Sequence, residues 1–316
     1  MSELPYVVPT YIQSTVTART GAGVSPRTSA RRAVVSRAIV SPASALRLLV
    51  PAMVLSLATT PRTLVAQLPQ AAAPNARVTT SVHAEVADLI ARGDKASVAR
   101  HPAQALALYE QALQRDSLSF DALWRASREL VDLGEFEPDR KTQAARYERA
   151  DRYARQALAM HPEQADVHFH MSRAIGRTAM SASSRDRVKY AVSVRDHAME
   201  ALARDPKHPG ALHIMGVWNA EVMRLNGIAR AFAKTFMGGK VMGTASWAEA
   251  ARYMEESVAH DPQRLIHRLD QARIYRDMGR TDDARAAYQA ALKSPPMDAN
   301  DDRYRRAAED ELKALK

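Results

Sequence analysis

The dominant pattern along the chain is a helical face of small and apolar residues that returns five times. Ala105, Tyr109, Ala112 and Leu113 precede Ser117, and Ala150, Ala154, Ala157 and Leu158 precede Pro162. Val194, Ala198, Ala201 and Leu202 precede Pro206. Ala250, Met254, Ser257 and Val258 precede Pro262, and Ala284, Tyr288, Ala291 and Leu292 precede Pro296. Positions four, seven and eight beyond the first lie on one side of a 3.6-residue helix, and the residue twelve beyond it stops that helix. Alanine at the first and third places lets two backbones approach closely. The larger second residue fills the gap to the next unit.

Each ladder helix is preceded by another periodic segment. First helices are predicted over 82–99, 120–133, 165–180, 210–225 and 265–278. Their ladder-bearing partners are predicted over 105–114, 140–160, 185–204, 245–260 and 282–293. Pro102 suits a first helical turn, and Gly134 and Gly279 are placed as C-cap glycines. A highly charged segment, 300–315, reads as a polar capping helix. The predicted fold is all-α: a tetratricopeptide-type α-solenoid of five helix pairs plus a C-terminal cap. The terminators step by 45, 44, 56 and 34 residues, and only the last step equals the regular 34-residue period. The extra residues therefore fall inside units, at 135–143, 181–187 and 226–244.

Residues 1–80 differ from the rest. Residues 1–67 hold seven arginines and one acid, Glu3. Arg31, Arg32 and Arg37 precede an apolar run of eleven residues at 48–58, with small residues after it. That order is the secretory signal pattern, with a signal-like segment over about 31–66 and a linker over 68–80. It predicts export, periplasmic or secreted. An organellar transit peptide and a disordered tail are the competing readings. The repeat domain is expected over 81–316.

The net charge of +10 resides largely in this leader, so the repeat region is only mildly basic. It shows no basic run interleaved with aromatics, which argues against nucleic acid. The chain has no cysteine, which excludes disulfides, thiol nucleophiles and zinc–thiolate sites. The ten histidines lack metal-binding spacing, and no Walker loop, dinucleotide fingerprint or nucleophile elbow is present. No catalytic residue, metal or cofactor is expected.

A solenoid of this kind holds ligands on its concave side. On the repeat alignment, Trp124, Arg128, Phe169, Arg173, His213, Val217, Leu269 and Arg273 face that groove. Its arginines suit an acidic peptide tail, a carboxylate or a lipid phosphate. Alternatively, the aromatics pack between helices and the arginines pair with nearby acids. In the 226–244 insertion Ile228, Phe232 and Phe236 recur every fourth residue, with Arg230 and Lys234 on another face. Such a helix plugs the groove or lies on a membrane.

The segment 211–222 (ALHIMGVWNAEV) carries a His-x-Met-Gly-x-Trp core at His213, Met215, Gly216 and Trp218. A basic–apolar insertion follows, then the fourth ladder with its Asp-Pro stop and the tail ALKSPPMDANDDRYRRAAEDEL. This order resembles the regulator of microtubule dynamics family over roughly 81–316, most strongly over 165–316. The resemblance implies partners such as microtubules or organelle membranes, a cytoplasmic, cytoskeletal or organellar location, and lipid exchange for one member. The leading expectation is a non-catalytic adaptor holding a peptide or protein in its groove. The alternative is a lipid-binding or membrane-surface module using the insertion.

Overall fold

The computed structural model describes residues 75–179, 184–225 and 239–316. Residues 1–74, which carry the predicted leader, lie outside the described residues, as do Ile228, Arg230, Phe232, Lys234 and Phe236. Helices α1 (Asn75–Val98) and α2 (Pro102–Arg115) form the first pair, α3 (Phe120–Glu135) and α4 (Arg140–Met160) the second. The third is α5 (Ala165–Thr178) with α6 (Ser184–Arg204). In the fourth, α7 (Pro209–Arg224) and the short α8 (Gly239–Met242) precede α9 (Trp247–His260). The fifth is α10 (Leu265–Asp277) with α11 (Thr281–Lys293), and α12 (Asp301–Ala314) caps the stack. No strand occurs among the described residues. This is a tetratricopeptide α-solenoid.

Apart from the short α8, each helix packs on the helices before and after it, and successive first helices (α1, α3, α5, α7, α10) also touch one another. The ladder explains why. Its first, second and third residues are buried in all five units, from Ala105, Tyr109 and Ala112 to Ala284, Tyr288 and Ala291. The fourth residue is only partly covered. Most of these positions are alanines, so helices meet at short range and side chains from the next unit fill the seam. Hydroxyls stitch it: Ser127 Oγ donates to the Ala150 carbonyl at 2.8 Å, and Ser172 Oγ to that of Val194 at 2.8 Å. Both acceptors are first residues of a ladder.

Helix α1 begins at Asn75, inside the predicted 68–80 linker, and two further features depart from expectation. Gly134 is no C-cap: it lies inside α3, whose last residue is Glu135 and whose C-cap is Phe136. A Cβ there would enter the Tyr147 ring, so the glycine serves close packing. Gly279 has φ +75 and does end α10. Helix α9 starts at Trp247 behind Ser246, whose side chain accepts from the Glu249 amide at 3.1 Å, one arm of a capping box.

Candidate functional site

Because the ladder helices spend their apolar faces in the seams, the first helices are left to line the concave side. They enclose a cavity of ≈ 630 Å³ with α1, α3, α5, α7, α10 and the 297–304 segment in its wall. That volume lies in the range of small-ligand pockets, roughly 300–1,000 Å³. Trp124, Phe169, Ile214, Val217, Trp218 and Ile274 supply its apolar surface. Val98, 83 % exposed, belongs to the same wall.

Seven of the eight predicted groove residues line this cavity: Trp124, Arg128, Phe169, Arg173, His213, Val217 and Arg273. Leu269 does not. It is 0 % exposed and belongs to the core shared by α9, α10, α11 and α12. Helix α10 has α12 as an additional neighbour, and its cavity-facing residues are Ile266, His267, Asp270, Arg273 and Ile274 instead.

Of the two courses left open for the arginines, the structure takes pairing with acids. Arg128 reaches Glu129 at 2.7 Å and Ser97 Oγ at 2.8 Å. Arg173 on α5 reaches Asp132 on α3 at 2.6 Å, and Arg177 reaches Glu135 at 2.9 Å. Arg273 bridges Asp270 at 2.9 Å and Glu311 at 2.6 Å. Among the described residues the cavity wall holds six arginines against seven carboxylates. An anion would therefore meet no cationic surplus, and would have to displace a carboxylate already in place. Of the two readings the sequence left open, these contacts are those of arginines paired with nearby acids. The aromatics do line the cavity: Trp124 stacks on His170 with centroids 5.0 Å apart and carries Arg125 over its face at 4.2 Å.

Burial sets the local electrostatics. It pushes Glu129 and Asp132 up, against the opposing pull of Arg128 and Arg173. Burial acts the same way on Asp270, but hydrogen bonds from His213 (2.8 Å) and Arg273 hold it well below the usual carboxylate range. His170 and His267 are held well below the ordinary imidazole value, first by burial and then by neighbouring cations. Among the described residues no cluster of three or more His, Asp or Glu could hold a metal ion.

Sequence reasoning missed the closure of the cavity. Asn300 Nδ2 donates to the Asp132 carbonyl at 3.0 Å. Tyr304 packs its ring 5.7 Å from that of Phe136, and Arg303 lies 4.7 Å over Phe136. Arg100, at φ +61 just past α1, reaches Asp302 at 3.4 Å. The capping helix thus spans from the last pair back to the first two. No periodicity signals this, since the contacts join distant loops and helix ends. A fainter signal existed for Asp132, which stands four residues after Arg128 on the same helix face.

The His-x-Met-Gly-x-Trp core has a physical reading. His213 faces the cavity and stacks on His267, centroids 4.5 Å apart. Met215 is buried, and Gly216 lets α7 approach Ala250 and Met254 of α9. Trp218 Nε1 donates to the Ala191 carbonyl at 2.8 Å, tying α7 to α6. The model of the regulator of microtubule dynamics protein 1-3 family matches residues 85–316. The chain belongs to that family. It is 25% identical over 159 residues to mouse regulator of microtubule dynamics protein 1, covering 49% of this chain and 51% of that protein. It is 20% identical over 190 residues to bovine regulator of microtubule dynamics protein 3, covering 60% of this chain and 40% of that one. The chain thus spans about half the length or less of these two relatives. Among solved structures, a thermophilic tetratricopeptide protein of Thermus thermophilus superposes with a TM-score of 0.52 at 20% identity, covering 71% of this chain and 98% of that one. This family member therefore has the tetratricopeptide fold, and its matched region contains every cavity-lining residue.

Proposed function

We propose that this family member is a non-catalytic binding module that holds a short segment of a polypeptide partner in the concave cavity. The observation that carries the reading is a ligand-sized space walled by every first helix and bridged by the C-terminal segment. Its wall polar groups are largely engaged in ion pairs, which supports holding rather than turnover. The fold and family are those of interaction scaffolds. Binding of a short-peptide library to the full-length protein, followed by fluorescence polarisation, tests it. Replacing Val217 with Trp fills the cavity and is expected to abolish the signal. Binding that survives Val217→Trp overturns the placement in the cavity.

A lipid-binding or membrane-surface module is the second reading, favoured by the apolar residues of the same enclosed wall. Mass spectrometry of organic extracts from the purified protein separates the two: a stoichiometric lipid supports this reading against the first. Microtubule association rests on the family's name, and co-sedimentation with polymerised tubulin tests it. Export, predicted from the leader, is tested by sequencing the N-terminus of the cell-derived protein.

A further inference from the structure

We propose that the cavity receives a cationic group on an aliphatic stem, seated against Glu221. This rests on the cavity being a polypeptide-binding site, and it names the group received: a lysine or arginine side chain of the partner.

The wall formed by α7 and α10 carries a chain of alternating charges that ends in α12. Glu221 pairs with Arg224 at 2.5 Å, and Arg224 with Asp277 at 2.5 Å. Asp277 pairs with Arg276 at 3.1 Å, and Arg276 with Glu311 at 3.1 Å. Arg273 continues it from Glu311 to Asp270, which accepts from His213. Each internal carboxylate touches two donors of this chain. Glu221, at the end, touches one.

Glu221 is 3 % exposed and forms part of the cavity wall, yet its Oε2 has no hydrogen-bond partner among the described residues. A buried carboxylate oxygen without a donor is costly, and natural proteins seldom keep one without a use for it. Its environment is also short of positive charge. Among the described residues four carboxylates of this network face three arginines, and the wall holds seven carboxylates against six arginines. A hydroxyl or amide would satisfy the oxygen but not the charge. An ammonium or guanidinium satisfies both. The stem follows from the helix: Val217 lies one turn before Glu221 on the same face, with Ile214 and Ile274 in the same wall. Burial, the largest effect on Glu221, raises its pKa, and a cation brought alongside would offset that.

A matched series of probes tests this on the full-length protein: hexylammonium, hexanol and hexanoate, with binding read by calorimetry and by NMR shifts. Hexylammonium is expected to bind at least about tenfold more tightly than either of the others. Glu221→Gln, which keeps an acceptor for Arg224, is expected to erase that preference. Hexanoate binding as well as hexylammonium overturns the proposal, and so does a preference unchanged in Glu221→Gln. If that variant melts, the preference of the unsubstituted protein decides alone. A second arm separates the sources. A peptide with one central lysine is expected to bind, and its acetyl-lysine counterpart is not. Equal binding of the two overturns the cation while leaving the peptide reading intact. Hexylammonium binding with no lysine or arginine peptide bound keeps the cationic site but overturns a polypeptide source, and with it the reading on which the proposal rests.

Discussion

The side-chain amide of Asn300 donates to the backbone carbonyl of Asp132 at 3.0 Å, across 168 positions of sequence. The same carboxylate-bearing residue holds Arg173 through its side chain. One short stretch of α3 therefore meets both the next repeat and the far end of the stack. The bond, with Tyr304 against Phe136, turns an open groove into a bridged cavity.

Removing that amide with Asn300→Ala is expected to cost about 1 kcal/mol, the usual net value of such a bond. Amide hydrogens of α12 should exchange faster, with those of α5 and α6 unchanged. Hydrogen exchange followed by mass spectrometry reads both.

Gly134 and Tyr147 pack so closely that Gly134→Ala should destabilise by about 1–3 kcal/mol, as overpacking does. The Tyr147 hydroxyl is buried without a partner, and burial pushes its pKa up to about 12. Combining Gly134→Ala with Tyr147→Leu should recover part of the loss. Urea denaturation of the four proteins of this cycle measures the coupling.

Arg273 is buried between Asp270 and Glu311. Arg273→Ala leaves Asp270 with His213 and Glu311 with Arg276 and Tyr288 in a poorly solvated wall, and the lost buried pairing should cost about 3 kcal/mol. Arg273→Met restores packing but no charge, so it should recover only part of that loss. Thermal denaturation at low and high salt checks this, and the loss should persist in salt because the site is buried.

His170 and His267 remain neutral in the fold, whereas in the unfolded chain each titrates near 6.5. Below that value, and above their depressed folded values, the unfolded chain binds more protons. Stability is therefore full above about pH 6.5 and falls as the pH drops, by up to ~1.4 kcal/mol per unit for each histidine. Glu129, Asp132, Glu221 and Asp301 are raised by burial and work in the opposite sense at lower pH, taking up protons first in the folded state. Tm should be lower at pH 5.5 than at pH 7.5, and His170→Asn should flatten that difference.

Much of the site was legible in sequence, and its limits were physical. The residues seven and eleven past each terminator fall on the concave side in the second, third and fourth units, which is why Trp124, Phe169 and His213 were found. The rule failed at Leu269, where a sixth element covers the face. Charge was harder to read than position. Arg128, Arg173 and Arg273 look like an anion site along the chain, because two of their counter-charges, Asp132 for Arg173 and Glu311 for Arg273, come from other helices. Asp132 lies 41 positions from Arg173, and Glu311 lies 38 from Arg273.

The sequence by itself determined the helices, their pairing and their seams. Those depend on local spacing, on alanines that permit close approach and on prolines that end each turn of the pattern. Only the tertiary structure decided that the two ends of the stack meet, that the wall arginines are neutralised and that Glu221 is left with an open oxygen. The meeting of the ends and the pairing of Arg173 and Arg273 with distant acids join groups too far apart in the chain for any periodicity to connect, and the open oxygen depends on which neighbours the packing brings to Glu221.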